Sequence, residues 1–311
     1  MQIKVIFLFF FGFLTVSQLP LPETKAELGE KLFFDPILSR DSSISCASCH
    51  KPHLAFADSL AVSPGIEGRL GRRNAPSVMN MAFRSVFFYD GRAKTIRDQI
   101  HFPIQDSVEM DLSYEVAVSR LISNKYYKTA FNLIYKEDPN VDNVADAISE
   151  YESTLETANT EFDAWMNNRP NAMSASAIRG RDVFMSDKAK CFNCHFGPDF
   201  TDDDFKNIGL YDDSKYTDRG RYDITKKPSD MGKFKVPGLR NVAVTAPYMH
   251  DGSFKTLREV IEYYDNPYKI VHDPINIDED LSKPLNLTEQ EKRDLEAFLR
   301  SLTDRRFYQL N

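Results

Sequence analysis

The stretches Cys46-Ala47-Ser48-Cys49-His50 and Cys191-Phe192-Asn193-Cys194-His195 decide how this chain reads. Each is a CxxCH run, and together they use all four cysteines of the 311 residues. In such a run the two thiols take the vinyl groups of a haem as thioethers, and the adjacent histidine reaches the iron. Two redox CxxC pairs, or one shared zinc, would use the cysteines but leave both histidines unexplained. The pattern therefore predicts two covalently bound haem c groups, held by Cys46, Cys49 and His50 and by Cys191, Cys194 and His195.

Attachment of this kind takes place outside the cytoplasm, and the N-terminus agrees. It reads MQIKVIFLFFFGFLTVSQLPLP, with a positive charge at Lys4 and a nearly unbroken apolar run from Val5 to Val16. About a dozen apolar residues are few for a membrane span and suit a secretory signal. Residues 1–20 are expected to export the protein to the periplasm. No clean A-x-A site follows, so an uncleaved N-terminal membrane anchor is the alternative. No later segment is long and apolar enough to span. Charged residues make up 27% and hydrophobic residues 42%, as in ordinary soluble proteins. A formal net charge of -7 argues against nucleic acid as a partner and suits a basic redox protein.

A faint internal repeat leads into the two runs. Gly29-Glu-Lys-Leu32-Phe33 precedes the first and Gly180-Arg-Asp-Val183-Phe184 the second, each reading as a short amphipathic helix. Tyr114 to Ile122 and Val144 to Leu155 read as further helices. Thr288-Glu-Gln-Glu291 is a capping box, and Leu295, Phe298, Leu299 and Leu302 form a helical stripe behind it. The polar stretch Asn167 to Ala172 breaks the pattern. The expected fold is mainly α, with two cytochrome c-like haem domains and long connecting loops. Residues 21–168 would carry the first haem and 169–311 the second. Trp165, the only tryptophan, reads as a packing residue beside that boundary.

One iron must stay open if peroxide is to bind. His53 is too close to His50 to swing to the far face, and the next histidine is His101. Met79 and Met81 read either as ligands or as core beside Val78 and Phe83. Glu109 follows a stretch that Pro103 makes loop-like. A carboxylate there could move a proton between the oxygens of peroxide, with Gln99 donating a hydrogen bond. By pattern alone Glu109 reads as a solvated surface acid.

The residues GEKLFFD, SCASCH, GRRNAPSVMN, FYDGRA, the trio Gln99, Pro103 and Glu109, CFNCH, FKVPGLRNVAVTAPYMHDG and the closing helix carry a resemblance. Over nearly everything from Leu28 to Leu302, the chain resembles the bacterial di-haem cytochrome c peroxidase superfamily, including its tryptophylquinone-forming branch. The resemblance implies that the His50 haem is the peroxidatic site, with Gln99, Pro103 and Glu109 in its distal pocket. It implies that the His195 haem takes electrons from a small cytochrome c or a cupredoxin. It further implies one Ca2+ between the haems, on the Asn74 side chain and the carbonyls of Thr245 and Pro247, an oxygen set that suits that ion. Relatives often form homodimers.

The chain departs from the family pattern at three positions. Many members carry a histidine that closes the peroxidatic haem, and the matching residue here is Ile66. The resemblance thus implies a first haem already open in the oxidised protein. Many also carry a tryptophan between the haems, where this chain has Tyr89, an aromatic relay that must lose its proton on oxidation. The third position, fourteen residues beyond His250, usually holds a methionine ligand and here is Tyr264, matching the axial tyrosine of the tryptophylquinone-forming branch. A phenolate favours ferric iron and lowers the potential relative to methionine. His272 or an empty sixth position are the alternatives. Three functions follow: reduction of hydrogen peroxide with electrons from a small redox protein, peroxide-dependent oxidation of a protein substrate, and non-catalytic electron carriage.

Overall fold

The computed structural model describes residues 20–310. The export signal or anchor expected over residues 1–20 lies outside the described residues but for Pro20. Eleven helices are described: α1 (Lys25–Phe34), α2 (Cys46–Cys49), α3 (Ile96–Gln105), α4 (Tyr114–Ser123), α5 (Lys125–Tyr135), α6 (Val141–Ser153), α7 (Glu161–Met166), α8 (Ala175–Phe184), α9 (Tyr222–Thr225), α10 (Leu257–Asp265) and α11 (Glu289–Ser301). Long loops with short 3-10 turns join them. The described sheet is one antiparallel pair, β1 (Phe205–Lys206) with β2 (Phe234–Lys235). The fold is mainly α, as expected.

The repeat read in the sequence is a repeated helix crossing. α1 packs on α6 and α8 packs on α11. Gly29 faces the Ala147 backbone of α6, and Gly180 faces the Asp294 backbone of α11, so closely that a Cβ at either would overlap the facing carbonyl. Glycine is required here by close approach rather than by a special backbone angle. Overpacking such a contact costs ~1–3 kcal/mol. Gly29→Ala and Gly180→Ala are each expected to lower the urea midpoint of the haem-loaded protein accordingly. An unchanged midpoint would mean that the crossings tolerate a methyl group.

Capping boxes begin α1 (Thr24 with Glu27), α10 (Thr256 with Glu259) and α11 (Thr288 with Glu291). Each satisfies two orphan donors at a helix start. The buried apolar side chains fall into two main clusters. One joins Leu28, Leu32 and Phe33 of α1 to Ala147, Ile148 and Tyr151 of α6 and to Ile100 and Ile104 of α3. The other joins Ala177 and Phe184 of α8 to Leu295, Phe298 and Leu299 of α11 and to Leu257 and Ile261 of α10. The polar 167–172 stretch is the turn between α7 and α8. Phe162 and Trp165, which precede it, pack on the second cluster, and Phe307 near the chain end packs on the first.

One local expectation is corrected. Pro103 does not produce a loop; it sits inside α3, which runs on to Gln105. Only one helical hydrogen bond is lost, that to the Gln99 carbonyl. The following loop folds back on the helix instead, with Met110 N–H donating to Pro103 O (3.2 Å) and Leu112 N–H to Ile104 O (2.9 Å).

Candidate active site

Both CxxCH runs wind into a single tight turn. His50 N–H donates to Cys46 O at 2.9 Å, and His195 N–H to Cys191 O at 3.0 Å. Each turn brings its two sulfurs and its imidazole to the wall of one cavity. The histidines are oriented alike. His50 Nδ1 lies 3.1 Å from the carbonyls of Phe56 and Pro76, and His195 Nδ1 lies 2.9 Å from that of Phe200. A carbonyl only accepts, so Nδ1 carries the proton and Nε2 keeps its lone pair. Burial holds both imidazoles toward the neutral form, outweighing these bonds. The four cysteines are unpaired. Among the described residues no three His, Cys, Asp or Glu side chains gather to hold a metal ion directly. The donor set of each cavity, two thiols one turn apart and one imidazole with a free Nε2, fits a covalently attached haem and not a shared zinc.

The first cavity, of about 580 Å³, is lined by His50 and by the three residues expected around it, Gln99, Pro103 and Glu109. Gln99 and Pro103 stand one turn apart on α3 and so share a face. The Glu109 carboxyl makes no hydrogen bond among the described residues. Burial pushes it above the usual carboxylate range, the charge of Asp106 adds to this, and Arg92 opposes it. Glu109 is thus a desolvated acid in a cavity and not a solvated surface group. His50 is the only histidine on this cavity's described wall. His53 is exposed, and His101 Nδ1 is engaged by the Tyr114 hydroxyl at 2.6 Å. Ile66 is fully buried, and its N–H donates to Glu109 O at 2.8 Å. Met79 and Met81 both border the cavity, Met79 as a buried core residue whose sulfur accepts from Asn241 Nδ2 at 3.5 Å.

The second cavity, of about 220 Å³, has a largely aliphatic wall that includes Leu257, Ile261, Leu295 and Leu299. Tyr264 reaches it from α10; Tyr263 does not. Tyr263 is fully buried, and its hydroxyl donates to Ile208 O at 2.8 Å. The Tyr264 hydroxyl makes no hydrogen bond among the described residues. Burial pushes its phenol well up, and the nearby Cys194 and Cys191 sulfurs would add to this if ionised. His272 is exposed and away from this wall.

Tyr89 lines both cavities, as do Tyr248 and Met249. Its hydroxyl also lacks a described partner, and burial pushes the phenol up against the pull of Arg73. Arg73 forms a two-pronged pair with Asp218 (2.7 and 2.9 Å) and a third bond to Asp90 (2.6 Å). Burial disfavours the Asp218 carboxylate, yet Arg73 outweighs it and holds the group at about 2. Asn74, Thr245 and Pro247 are among the residues lining the first cavity. Asn74 Nδ2 donates to Leu60 O at 3.0 Å. A cation there would rest on neutral oxygens.

Sequence reading missed three groups. Lys235 is shared by both cavity walls. Glu152 lies on the first, and burial raises it to about 8. The Tyr114–His101 pair is the third. Only Glu152 left a signal, as an acid four residues after Ile148 on the buried face of α6.

The model of the di-haem cytochrome c peroxidase family matches residues 23–171. The cytochrome c peroxidase Ccp of Escherichia coli is 38% identical over 247 residues, which span 78% of this chain and 53% of that protein. The methylamine utilization protein MauG of Methylorubrum extorquens is 36% identical over 285 residues, 91% of this chain and 79% of that one. This chain belongs to the di-haem cytochrome c peroxidase and MauG-like family. It is a cytochrome-c peroxidase-like oxidoreductase. A solved structure of a MauG-like protein associated with microbial copper homeostasis has the same overall fold, with a TM-score of 0.82 and 32% identity over 92% of this chain and 91% of that one.

Proposed function

We propose that this chain is a di-haem c-type peroxidase that reduces hydrogen peroxide to water with electrons from a small periplasmic redox protein. The observation that carries the reading is the pair of cavities, each with a CxxCH turn and a neutral histidine, of which one also holds the half-buried, unpartnered carboxyl of Glu109. Cys46, Cys49 and His50 would hold one haem, and Cys191, Cys194, His195 and Tyr264 the other, in two cytochrome c-like halves. When bound, the haems supply iron for peroxide and a store of electrons. The protein does the rest. His50, donating from Nδ1 to carbonyls, presents an electron-rich Nε2. Gln99 donates a hydrogen bond to peroxide. Glu109 takes a proton from the near oxygen and returns it to the leaving oxygen, which departs as water. Pro103 closes the wall beside them, and Tyr89 bridges the cavities.

No helix among the described residues is long and apolar enough to cross a membrane, and the expected export signal supports a periplasmic location. One Ca2+ on Asn74 and the carbonyls of Thr245 and Pro247 belongs to the same reading. Its removal by a chelator is expected to shift the optical spectrum of the haem-loaded protein, with recovery on adding Ca2+. An unchanged spectrum, with no calcium in the purified protein, removes the ion from the proposal.

Steady-state peroxide consumption with reduced cytochrome c or cupredoxin donors tests the main reading. Fast electron exchange without peroxide turnover would leave an electron carrier. A second enzymatic reading, oxidation of a protein substrate, is favoured by Tyr264 on the second cavity and by the MauG-like relatives. Peroxide turnover that is slow with every small donor, together with peroxide-dependent modification of a co-expressed protein, would favour it.

A further inference from the structure

Tyr89 stands between the cavities, but its hydroxyl has no described hydrogen-bond acceptor. A phenol oxidised without losing its proton becomes a strongly acidic cation, so an adjacent base decides which tyrosine can give up an electron. Tyr114 has such a base. Its hydroxyl oxygen lies 2.6 Å from His101 Nδ1, with the two rings 5.2 Å apart, and donates to that nitrogen when His101 carries its proton on Nε2. The pair lies behind the first cavity's wall: His101 is two residues from both Gln99 and Pro103 on α3 and so sits on the opposite face of the helix from them. Tyr114 packs against the same buried cluster as Cys46, and an ionised Cys46 sulfur would be near enough to disfavour its phenolate.

Among the other tyrosines, Tyr127 donates to Asp35 (2.7 Å), Tyr135 to Asp146 (2.9 Å) and Tyr211 to Asp213 (3.2 Å), while Tyr248 and Tyr263 donate to backbone carbonyls. The three side-chain acceptors are carboxylates, whose ordinary proton affinity is ~2–3 pKa units below that of imidazole, a backbone carbonyl is a far weaker base still, and Lys25 draws on Asp146 as well. Burial keeps His101 toward its neutral, accepting form; Asp98 and Asp142 pull the other way, and Arg97 sides with burial.

We propose that Tyr114 and His101 form a redox-active pair, in which Tyr114 gives one electron to the oxidising equivalent that peroxide leaves at the His50 site while its phenolic proton passes to His101 Nδ1. The O–H bond of Tyr114 breaks and an N–H bond forms, leaving a neutral phenoxyl radical and an imidazolium. Hydrogen peroxide is the oxidant. One electron from the small donor later restores the phenol as His101 returns the proton. The inference rests on the peroxidase reading and adds to it a place where an oxidising equivalent waits when no donor is bound.

The test mixes the oxidised, haem-loaded protein with one equivalent of hydrogen peroxide and no donor. The haem absorbance is followed, and frozen samples are taken for electron paramagnetic resonance. The expected result is a tyrosyl signal that is lost in Tyr114→Phe and reduced several-fold in His101→Phe. In the wild type it should weaken as acid protonates His101. Tyr114→Phe removes only a hydroxyl, and an unchanged haem content verifies its fold. A signal that persists in Tyr114→Phe, or that disappears in Tyr89→Phe instead, overturns the proposal. So does an absent signal while the haem absorbance responds to peroxide. If the absorbance does not respond, the peroxidase reading itself fails, and the pair's role falls with it.

Discussion

Glu109→Gln is expected to lower peroxide turnover by about 10²–10⁴-fold, the usual worth of a positioned general acid–base. Glutamine preserves the shape and polarity of the side chain but can neither take nor return the proton. The environment of Glu109 makes this a specific expectation. Its half-buried carboxyl lines the same cavity as His50 and has no described partner that would have to be broken first. Burial raises its titration above the usual carboxylate range. The group works as a base only when ionised. Wild-type turnover should therefore be full above that raised value and fall as the pH drops through it. Glu109→Gln should be slow throughout and lack this acid limb. The haem content of the variant should be unchanged, because no CxxCH residue is touched. A variant with full turnover would return Glu109 to the role of an ordinary buried acid.

Tyr264→Phe and Tyr264→Met should change the second haem more than any substitution outside the CxxCH turns. The Tyr264 phenol faces a largely aliphatic cavity, and burial disfavours its ionisation. Only a strong positive charge such as ferric iron would draw off its proton. A phenolate so formed favours the oxidised metal, whereas methionine raises the potential. Tyr264→Met is therefore expected to raise the reduction potential of one haem and leave the other near its original value. Tyr264→Phe is expected to abolish the low-spin resonance of the same haem. Tyr263→Phe is the control: its hydroxyl is held by Ile208 O and does not reach the cavity. It should lose some stability and alter neither potential. Equal effects from both tyrosines, or none from Tyr264, would contradict the ligand assignment.

Much of this was legible in the sequence because it depends on local spacing. A CxxCH turn places two sulfurs and an imidazole together by short-range geometry alone. Gly29 and Gly180 marked equivalent helix crossings because nothing larger fits against Ala147 O or Asp294 O. Tyr264, which the family resemblance and not local spacing singled out, lines the second cavity. Pro103 was misread, since local propensity treats proline as a helix breaker while the loop at 106–112 folds back onto α3 and supports it. Tyr114 and His101 meet only because the loop after α3 folds back on that helix and brings the first residue of α4 beside it. Lys235 reaches both cavities from β2, a strand too short for its pattern to be recognised. Pairings of that kind are set by tertiary packing and leave no periodic trace in the chain.

Whether the first haem is open before any reduction is tested by adding hydrogen peroxide to the fully oxidised, haem-loaded protein and recording its Soret absorbance in the first moments. Ile66 is buried against the Glu109 loop, and His50 is the only histidine on the described wall of that cavity. The expected result is an immediate absorbance change without prior reduction, unaltered by pre-incubation with a donor. An oxidised protein that stays silent until one haem has been reduced would contradict it.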